Sequence, residues 1–190
     1  MKKSSCVVLL SGGLDSTVNL FEAHREHHIE LALTFDYGQR AAQKEVELSR
    51  KICGSLGVSH RVIALPFFKE FTKTSLVNRE VEVPLGVNCN ISDFKTSMKT
   101  AKLVWVPNRN GIFISIASGF AEGLGASFVI VGFNAEEGAT FPDNTQEFLN
   151  SLDESLKYST ATQIKVKSYT THINKTEIVR LSVNIGWDAW

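Results

Sequence analysis

The residues best suited to chemistry form a glycine-containing loop near the start of the sequence. The loop consists of Ser11, Gly12, Gly13, Leu14, Asp15, Ser16 and Thr17. Adjacent glycines let the main chain approach a ligand closely, and the backbone N–H groups and hydroxyl groups can donate hydrogen bonds to phosphate oxygens. The loop follows the apolar run Val7–Leu10 and precedes a helical pattern, so a bound anion would meet the N-terminus of a helix. The pattern therefore predicts a cradle for phosphate.

The loop lacks the lysine of the common nucleotide-binding loops. It matches neither G-x-x-x-x-G-K-[ST] nor G-x-G-x-x-G, because Leu14, Asp15 and Ser16 follow the glycine pair. This difference argues against transfer of a γ-phosphoryl group with the usual lysine clamp. Asp15 would repel phosphates unless it coordinates Mg²⁺ or holds the loop by hydrogen bonds. The plainer alternative is a serine-glycine turn in which Asp15 only caps a helix.

The elements that must position this loop alternate between strands and helices. Apolar runs predict strands at residues 7–10, 31–36, 61–65, 103–107 and 128–133, and an alternating pattern predicts an edge strand at 163–167. Helical patterns cover residues 16–27, 41–56 and 111–124, and two further helices follow the capping patterns Asn144-x-x-Glu147 and Asn174-x-x-Glu177. Three helices are expected to end at Gly57, Gly125 and Gly186.

This order of elements predicts an α/β fold. Strands joined by helices at this spacing form right-handed crossovers, so we expect a Rossmann-like, doubly wound, mostly parallel sheet with helices on both faces. The length favours one domain over residues 1–190. Residues from about 66 to 102 break the pattern, and we expect them to form a long excursion over the active-site side.

Composition limits the classes of partner. Twenty basic and twenty acidic residues cancel, so no overall positive field would draw the chain to nucleic acid or to a membrane surface. No apolar run is long enough to span a bilayer, and the expected location is the cytoplasm. Cys6, Cys53 and Cys89 are scattered, which indicates neither a disulfide framework nor a local metal site, and Cys6 and Cys53 are expected in the core.

The loop and four further segments carry a family resemblance. SGGLDS at residues 11–16 resembles the signature of the PP-loop, or N-type, ATP pyrophosphatases. The further segments are FDYGQR at 35–40, VPNRN at 106–110, GFN at 132–134 with Glu136, Glu137, Pro142 and Asp143, and KTEIV at 175–179. In this order and spacing the sequence resembles the 7-cyano-7-deazaguanine synthases of the queuosine and 7-deazapurine pathway, from about residue 6 to residue 187.

The resemblance implies a reaction, its cofactors and its partners. The expected reaction converts 7-carboxy-7-deazaguanine and ammonia into the nitrile, through an acyl-adenylate and an amide, with release of AMP and pyrophosphate. It implies ATP and Mg²⁺, small-molecule substrates, no direct contact with nucleic acid or membrane, and a homodimer. The loop would hold the leaving pyrophosphate with preorganised N–H groups. The Mg²⁺ ligands stay open at this point.

Polar residues beyond the strand ends form the candidate site, because ligands of open parallel sheets bind there. Arg109 is expected in a short turn between a strand and a buried helix, where it would clamp a phosphate or carboxylate, with a surface ion pair as the alternative. Lys175 opens a helix, where a cation is unfavourable, so anion binding explains it better than helix stability. With Asp15, these two residues form the expected catalytic set.

Substrate contacts are expected from a wider group of residues. They are Tyr37, Gln39, Arg40, Asn108, Arg109, Asn110, Asn134, Glu136, Glu137 and Asp143. The asparagines of residues 108–110 can read a base or ribose, or can simply shape a turn and cap a helix. The acidic residues can recognise a purine-like edge or hold Mg²⁺, although acidic loops are commonly only solvated.

The C-terminal region departs from the family pattern. The resemblance implies a cysteine-rich stretch that binds structural Zn²⁺ through four thiolates after a tryptophan, but the sequence stops at Trp190 and its scattered cysteines cannot replace that stretch. We expect a chain cut short before this stretch, rather than a zinc-free variant. The alternatives to the synthase are another PP-loop enzyme such as a tRNA thiolase, a relative that transfers a deazaguanine to a protein, and a nucleotide-binding module without catalysis.

Overall fold

A parallel sheet forms the centre of the computed structural model, which describes residues 3–72, 74, 76–77 and 104–185. Within these residues, the sheet has five strands in the order β3-β2-β1-β4-β5. The strands are β1 (Ser5–Leu9), β2 (His28–Asp36), β3 (His60–Ala64), β4 (Phe128–Ile130) and β5 (Lys165–Lys167). Every neighbouring pair is parallel, so all five carboxyl ends lie at one edge.

Helices connect the strands. They are α1 (Leu14–Glu26), α2 (Ala42–Leu56), α3 (Phe68–Phe71), α4 (Arg109–Gly123), α5 (Ala135–Gly138), α6 (Gln146–Ser159) and α7 (Lys175–Asn184). The 3-10 turn Pro142–Asn144 precedes α6. Gly57 and Gly125 follow helices with φ of 66° and 70°, which confirms the predicted ends. Gly186 and most of the predicted excursion at 66–102 lie outside the described residues.

The sheet is covered on both faces. Successive strand residues point to opposite faces, so Val7 packs with Ile114 of α4 and Leu149 of α6, whereas Val8 packs with α1 and α2. Cys6 and Cys53 lie in the core on the face of the sheet that α1 and α2 cover, and their burial confirms the prediction. Burial raises the pKa of Cys6 to about 12 and that of Cys53 to about 11. The architecture confirms the predicted doubly wound α/β fold.

Two local predictions are wrong. Residues 104–107 form no strand, although their apolar run predicted one; Trp105 stacks on Phe141 and Val106 is buried in the core beside the start of α4. Leu103 lies outside the described residues. The cap of α6 is Thr145, whose Oγ1 accepts a hydrogen bond from the Phe148 N–H, because Asn144 is used in the preceding 3-10 turn.

The remaining caps and edges agree with the sequence. Asn174 and Glu177 form the predicted capping box at the start of α7. Strand β5 lies at the sheet edge, as its alternating pattern predicts. None of the helices in the described ranges is long and apolar enough to cross a lipid bilayer.

Candidate active site

The glycine loop lies at the carboxyl end of β1, where it joins α1. Gly12 has a φ of 73°, a left-handed conformation that glycine adopts without strain, and a Cβ atom there would lie 2.8 Å from the Leu48 Cβ of α2. Gly13 precedes α1, and its carbonyl accepts hydrogen bonds from Ser16 Oγ at 3.1 Å and Thr17 Oγ1 at 2.8 Å. Ser11 N–H donates to Ser16 Oγ at 3.2 Å. The loop is therefore held by its own side chains and by α2.

A cavity of about 260 Å³ opens beside this loop. Its floor is apolar and includes Leu33, Phe35 and Phe113. Its polar lining consists of Ser11, Asp15, Ser16, Thr34, Tyr37, Glu45, Arg109, Asn110, Glu137 and Asn144. An apolar floor with a polar rim beside a glycine loop at a helix N-terminus suits a nucleotide.

Lys175 joins the loop to the segment after β4. Its Nζ donates hydrogen bonds to Asp15 Oδ2 and, at 3.4 Å, to Glu137 Oε1. Asn134 Nδ2 also donates to Asp15 Oδ2, at 3.1 Å. Burial alone would lower the pKa of Lys175, but the hydrogen bond and charge of Asp15 raise it, so the ammonium form is favoured. Three segments far apart in the sequence thus meet at one carboxylate.

Asp15 keeps one unused oxygen. Its Oδ1 is buried and has no hydrogen-bond partner within the described structure. A buried carboxylate oxygen without a partner is costly, and a divalent cation is a natural partner for it. Together with Glu137, it offers the one or two carboxylates that Mg²⁺ usually takes beside substrate phosphates, so these residues fit a Mg²⁺ ion.

A zinc site does not fit the described residues. Nowhere in these ranges do three or more His, Cys, Asp or Glu side chains cluster as metal ligands. Cys6 and Cys53 are buried in the core with raised pKa values, and Cys89 lies outside the described residues.

The segment after β2 is held by Gln39. Gln39 Nε2 donates to Phe35 O at 2.9 Å and to Glu45 Oε2 at 2.8 Å, while its Oε1 accepts from Tyr37 N at 3.0 Å. Gln39 is buried and does not line the cavity, whereas Tyr37 does. Burial raises the pKa of Tyr37, and the neighbouring Arg109 charge opposes the rise. Arg40 is exposed and lies outside the cavity lining.

Arg109 stands between two cavities. It is the first residue of α4, not part of a turn after a strand, and its Nε donates to Asn110 Oδ1 at 3.3 Å. Asn110 Nδ2 in turn donates to Asp143 O at 3.1 Å. A second cavity of about 280 Å³ is lined by Arg109, Asp143, Trp105 and Phe141, among others. Burial raises the pKa of Asp143, and the Arg109 charge opposes this.

The structure gathers some of the predicted site residues and separates others. Ser11, Gly13, Asp15, Ser16, Tyr37, Arg109, Asn110 and Glu137 line the first cavity, and Asp143 lines the second. Lys175 reaches the first cavity through Asp15. The residues that line neither cavity are Gly12, Leu14, Thr17, Gln39, Arg40, Asn108, Asn134 and Glu136. Asn108 is exposed, with a φ of 51° before α4, and Glu136 Oε1 accepts from the Lys175 N–H.

Several contributors were not among the predicted site residues, and Glu45, Gly132 and Asn19 are the most informative of them. Glu45 lines the first cavity from α2, although one acid on a helix usually indicates a solvated face. Gly132 approaches so closely that a Cβ atom there would lie 2.6 Å from Ser16 Cα. Asn19 is buried in α1 and bonds Asp15 O and Thr170 Oγ1. An asparagine within an apolar helix face was the available signal for the last of these.

Solved structures define the class of the fold. NMN synthetase from Francisella tularensis matches with 14% identity and a TM-score of 0.50, over 97% of this chain and 62% of that one. NH3-dependent NAD synthetase from Campylobacter jejuni matches with 18% identity and a TM-score of 0.50, over 99% of this chain and 66% of that one. A 4-thiouridine synthetase, in a complex with RNA and ATP, matches with 24% identity and a TM-score of 0.51, over 96% of this chain and 41% of that one.

At such identities the likeness concerns the fold, and this chain spans less than two thirds of those three. The class is therefore the α/β fold that these synthetases share. The family is narrower: the chain belongs to the family described as queuosine biosynthesis protein QueC, whose model matches residues 5–189.

Curated relatives agree with this family. A 7-cyano-7-deazaguanine synthase from Bdellovibrio bacteriovorus is 54% identical over 98% of this chain and 82% of its own length. One from Carboxydothermus hydrogenoformans is 50% identical over 95% of this chain and 83% of its own length.

Proposed function

We propose that this chain is an ATP-dependent 7-cyano-7-deazaguanine synthase, a ligase that forms carbon–nitrogen bonds with release of AMP and pyrophosphate. Membership in the QueC family supports the choice of substrates, 7-carboxy-7-deazaguanine and ammonia. The observation that carries the proposal is the position of Arg109, which lines both the cavity beside the phosphate loop and the second cavity. A guanidinium at that junction can contact an α-phosphate and a carboxylate together.

In this proposal ATP occupies the first cavity. Its β- and γ-phosphates lie at the loop of residues 11–16, where backbone N–H groups at the start of α1 and the hydroxyls of Ser11 and Ser16 donate to them. The adenine lies over the apolar floor that includes Leu33 and Phe113. Asp15 and Glu137 would hold Mg²⁺, which would supply positive charge to offset that of the leaving pyrophosphate. Lys175 supplies a second positive charge there once it leaves the two acids.

The deazaguanine occupies the second cavity. Trp105 and Phe141 stack with ring centroids 6.0 Å apart and planes inclined by 19°, which gives a flat aromatic wall beside that cavity. A guanine-like edge carries adjacent N–H donors, and the Asp143 carboxylate can accept them. The carboxylate of the substrate then points toward Arg109. This placement brings the reacting oxygen to the α-phosphate without a covalent enzyme intermediate.

The proposed reaction has two activations. A carboxylate oxygen attacks the α-phosphorus, the bond to the β-phosphate breaks, and pyrophosphate leaves. Ammonia attacks the acyl carbon, the carbon–oxygen bond breaks, and AMP leaves the amide. A second ATP then activates the amide oxygen in the same way, and loss of AMP and protons gives the nitrile. Arg109 stabilises the charge on the phosphate in each activation, because it is already positioned when that charge develops.

The wider assignments are part of the same proposal. We propose a single domain over residues 1–190, small-molecule substrates with no direct contact to nucleic acid or membrane, and a cytoplasmic location. The homodimer rests on the family resemblance alone. Zn²⁺ is expected of the family, but Cys6, Cys53 and Cys89 do not supply a ligand set for it.

The test follows nucleotide products and product mass. The protein is incubated with ATP, Mg²⁺, ammonium and 7-carboxy-7-deazaguanine, and we expect AMP and a product with the mass of the nitrile. Arg109→Lys keeps the charge but loses the planar donor pair, so we expect AMP formation to fall about 100-fold. Arg180→Lys is the matched control, because Arg180 is exposed on α7 and lines neither cavity. Formation of ADP, or AMP that does not depend on the deazaguanine, would contradict the proposal.

A further inference from the structure

Glu45 is a carboxylate that lines the first cavity, and the proposed reaction gives it no role. It lies on α2, which packs directly on the phosphate loop: a Cβ atom on Gly12 would lie 3.4 Å from Glu45 O. The side chain lines the cavity, and Gln39 Nε2 donates to its Oε2 at 2.8 Å. Gln39 is itself held by Phe35 O and Tyr37 N. Glu45 is therefore held in place from the end of β2.

A carboxylate beside bound phosphates is unfavourable because the negative charges repel each other, unless a cation lies between them. The two other acids that line this cavity, Asp15 and Glu137, share the Lys175 ammonium. Glu45 forms no ion pair within 4.0 Å among the residues that the structure describes. Glu45 is thus an oriented carboxylate that no described ion pair within 4.0 Å neutralises, although the Arg109 charge acts on it from farther away, and it lies next to the place where the acyl-adenylate would form.

We propose that Glu45 binds the ammonium ion and takes the proton that makes ammonia nucleophilic. The assignment rests on the proposed function, since it concerns the amide-forming step of that reaction. Ammonia is mostly ammonium near neutral pH, and ammonium has no lone pair with which to attack carbon. A base in contact with the ion therefore governs how much nucleophile is present at the acyl carbon.

Formation of the amide from ammonium removes two protons from the nitrogen. One N–H bond of ammonium breaks, and the proton passes to a Glu45 oxygen, which leaves ammonia and a neutral carboxyl group. The lone pair of ammonia forms the new carbon–nitrogen bond, and the carbon–oxygen bond to the adenylate breaks. The AMP oxygen leaves with the electron pair of that carbon–oxygen bond. The second proton passes from the nitrogen to AMP, which leaves the neutral amide. Glu45 then returns its proton to water after AMP departs.

The surroundings of Glu45 suit a base. Burial raises the pKa of the Glu45 carboxyl, while the hydrogen bond from Gln39 and the charge of Arg109 on α4 lower it, and Asp36 at the end of β2 raises it. Tyr37, from the same segment, is a further titratable group that lines this cavity, and it is itself buried. A carboxyl whose pKa lies above its usual range is a better proton acceptor than an ordinary one.

The experiment separates activation from amide formation. Glu45→Gln retains an oxygen that can accept from Gln39 but cannot take a proton. Exchange of labelled pyrophosphate into ATP, dependent on 7-carboxy-7-deazaguanine, measures acyl-adenylate formation, and we expect it to stay within about threefold of the wild type. We expect amide formation with ammonium to fall by about 100-fold or more, the usual contribution of a general base. Glu47→Gln, an exposed change on the same helix, is the matched control and should alter neither rate.

A second nucleophile makes the test specific. Hydroxylamine is mostly neutral near pH 7 and needs no base, so Glu45→Gln should form the hydroxamate at about the wild-type rate. Equal losses with ammonium and hydroxylamine, or a matching loss of exchange, would overturn the assignment of Glu45. Absence of substrate-dependent exchange in the wild-type protein would overturn the proposed function, and the role of Glu45 with it. Normal exchange with normal amide formation in Glu45→Gln would overturn the role of Glu45 alone.

Discussion

Gly132 is the position at which the smallest change should damage the active site most. It follows β4 and packs against the first turn of α1. A Cβ atom there would lie 2.6 Å from Ser16 N and Ser16 Cα and 2.8 Å from the Asp15 carbonyl carbon, all of them backbone atoms. Rotation of a flexible side chain cannot relieve contacts with backbone atoms, so Gly132→Ala must move the glycine loop away from β4.

The size of the effect follows from those distances. Ordinary contact begins near 3.4 Å, so the loop must move by about 0.8 Å from its position at 2.6 Å. Overpacking of this kind costs about 1–3 kcal/mol of stability. A misplacement of about 1 Å in a positioned group can lower a rate about 100-fold. We therefore expect substrate-dependent pyrophosphate exchange to fall by about 100-fold while the protein remains folded.

The assay pairs exchange with urea unfolding. Gly119→Ala is the matched control, because Gly119 lies in α4 with no atom within 4 Å of its added Cβ. In the control we expect a gain of roughly 0.5–1 kcal/mol in the free energy of unfolding, since alanine favours helix, and unchanged exchange. Exchange in Gly132→Ala within threefold of the wild type would refute the close packing of β4 on the loop.

Two further predictions concern Lys175 and His27. Lys175→Gln leaves Asp15 without its cation, so we expect pyrophosphate exchange, measured at saturating ATP, to fall about 100-fold or more. Unchanged exchange would show that Lys175 only balances the charge of Asp15. Burial, followed by the Lys167 charge, lowers the pKa of His27 from its ordinary value of 6.5. As the pH falls, His27 is therefore protonated in the unfolded chain before it is protonated in the folded protein. Because this proton binding favours the unfolded chain, the free energy of unfolding should decrease as the pH falls below 6.5. Urea unfolding at several pH values tests this, and His27→Gln should weaken that pH dependence; an equal slope in both proteins would contradict it.

The sequence predicted the elements whose signal is local. The SGGLDS loop between β1 and α1, the helix α2 with Gly57 at its end, and the capping box of Asn174 and Glu177 all depend on residues within a few positions of one another. Hydrophobic periodicity and cap chemistry act over the same short range. These features were therefore recognisable before any tertiary contact was known.

Errors and omissions arose where distant contacts decide. Residues 104–107 form an apolar run typical of a buried strand, but stacking of Trp105 on Phe141 and burial of Val106 place them beside α4 instead. Glu45 resembles a solvent-facing acid until the fold brings Gln39 to it. Gln39 was expected to bind substrate, a role that stays a prediction, while its observed bonds hold Tyr37 and Glu45.

The meeting of Asp15 with Lys175 was beyond local sequence reasoning. Both residues were expected to act on ATP, but their pairing across 160 positions depends on the order of the strands and on Asn134 after β4. The carboxyl ends of parallel strands meet at one edge of the sheet, which explains why such distant polar residues converge. Individual partners at that edge are set by packing, and no single-sequence pattern specifies them.

The most direct test of the central claim follows the oxygen atoms of the substrate carboxylate. The protein is supplied with 7-carboxy-7-deazaguanine labelled with heavy oxygen in both carboxylate positions, together with ATP, Mg²⁺ and ammonium. If the carboxylate and then the amide are adenylated, both labels leave the substrate and appear in the phosphate group of AMP, and the nitrile retains neither. Label in inorganic phosphate, or AMP without label, would contradict adenylation as the reaction of this site.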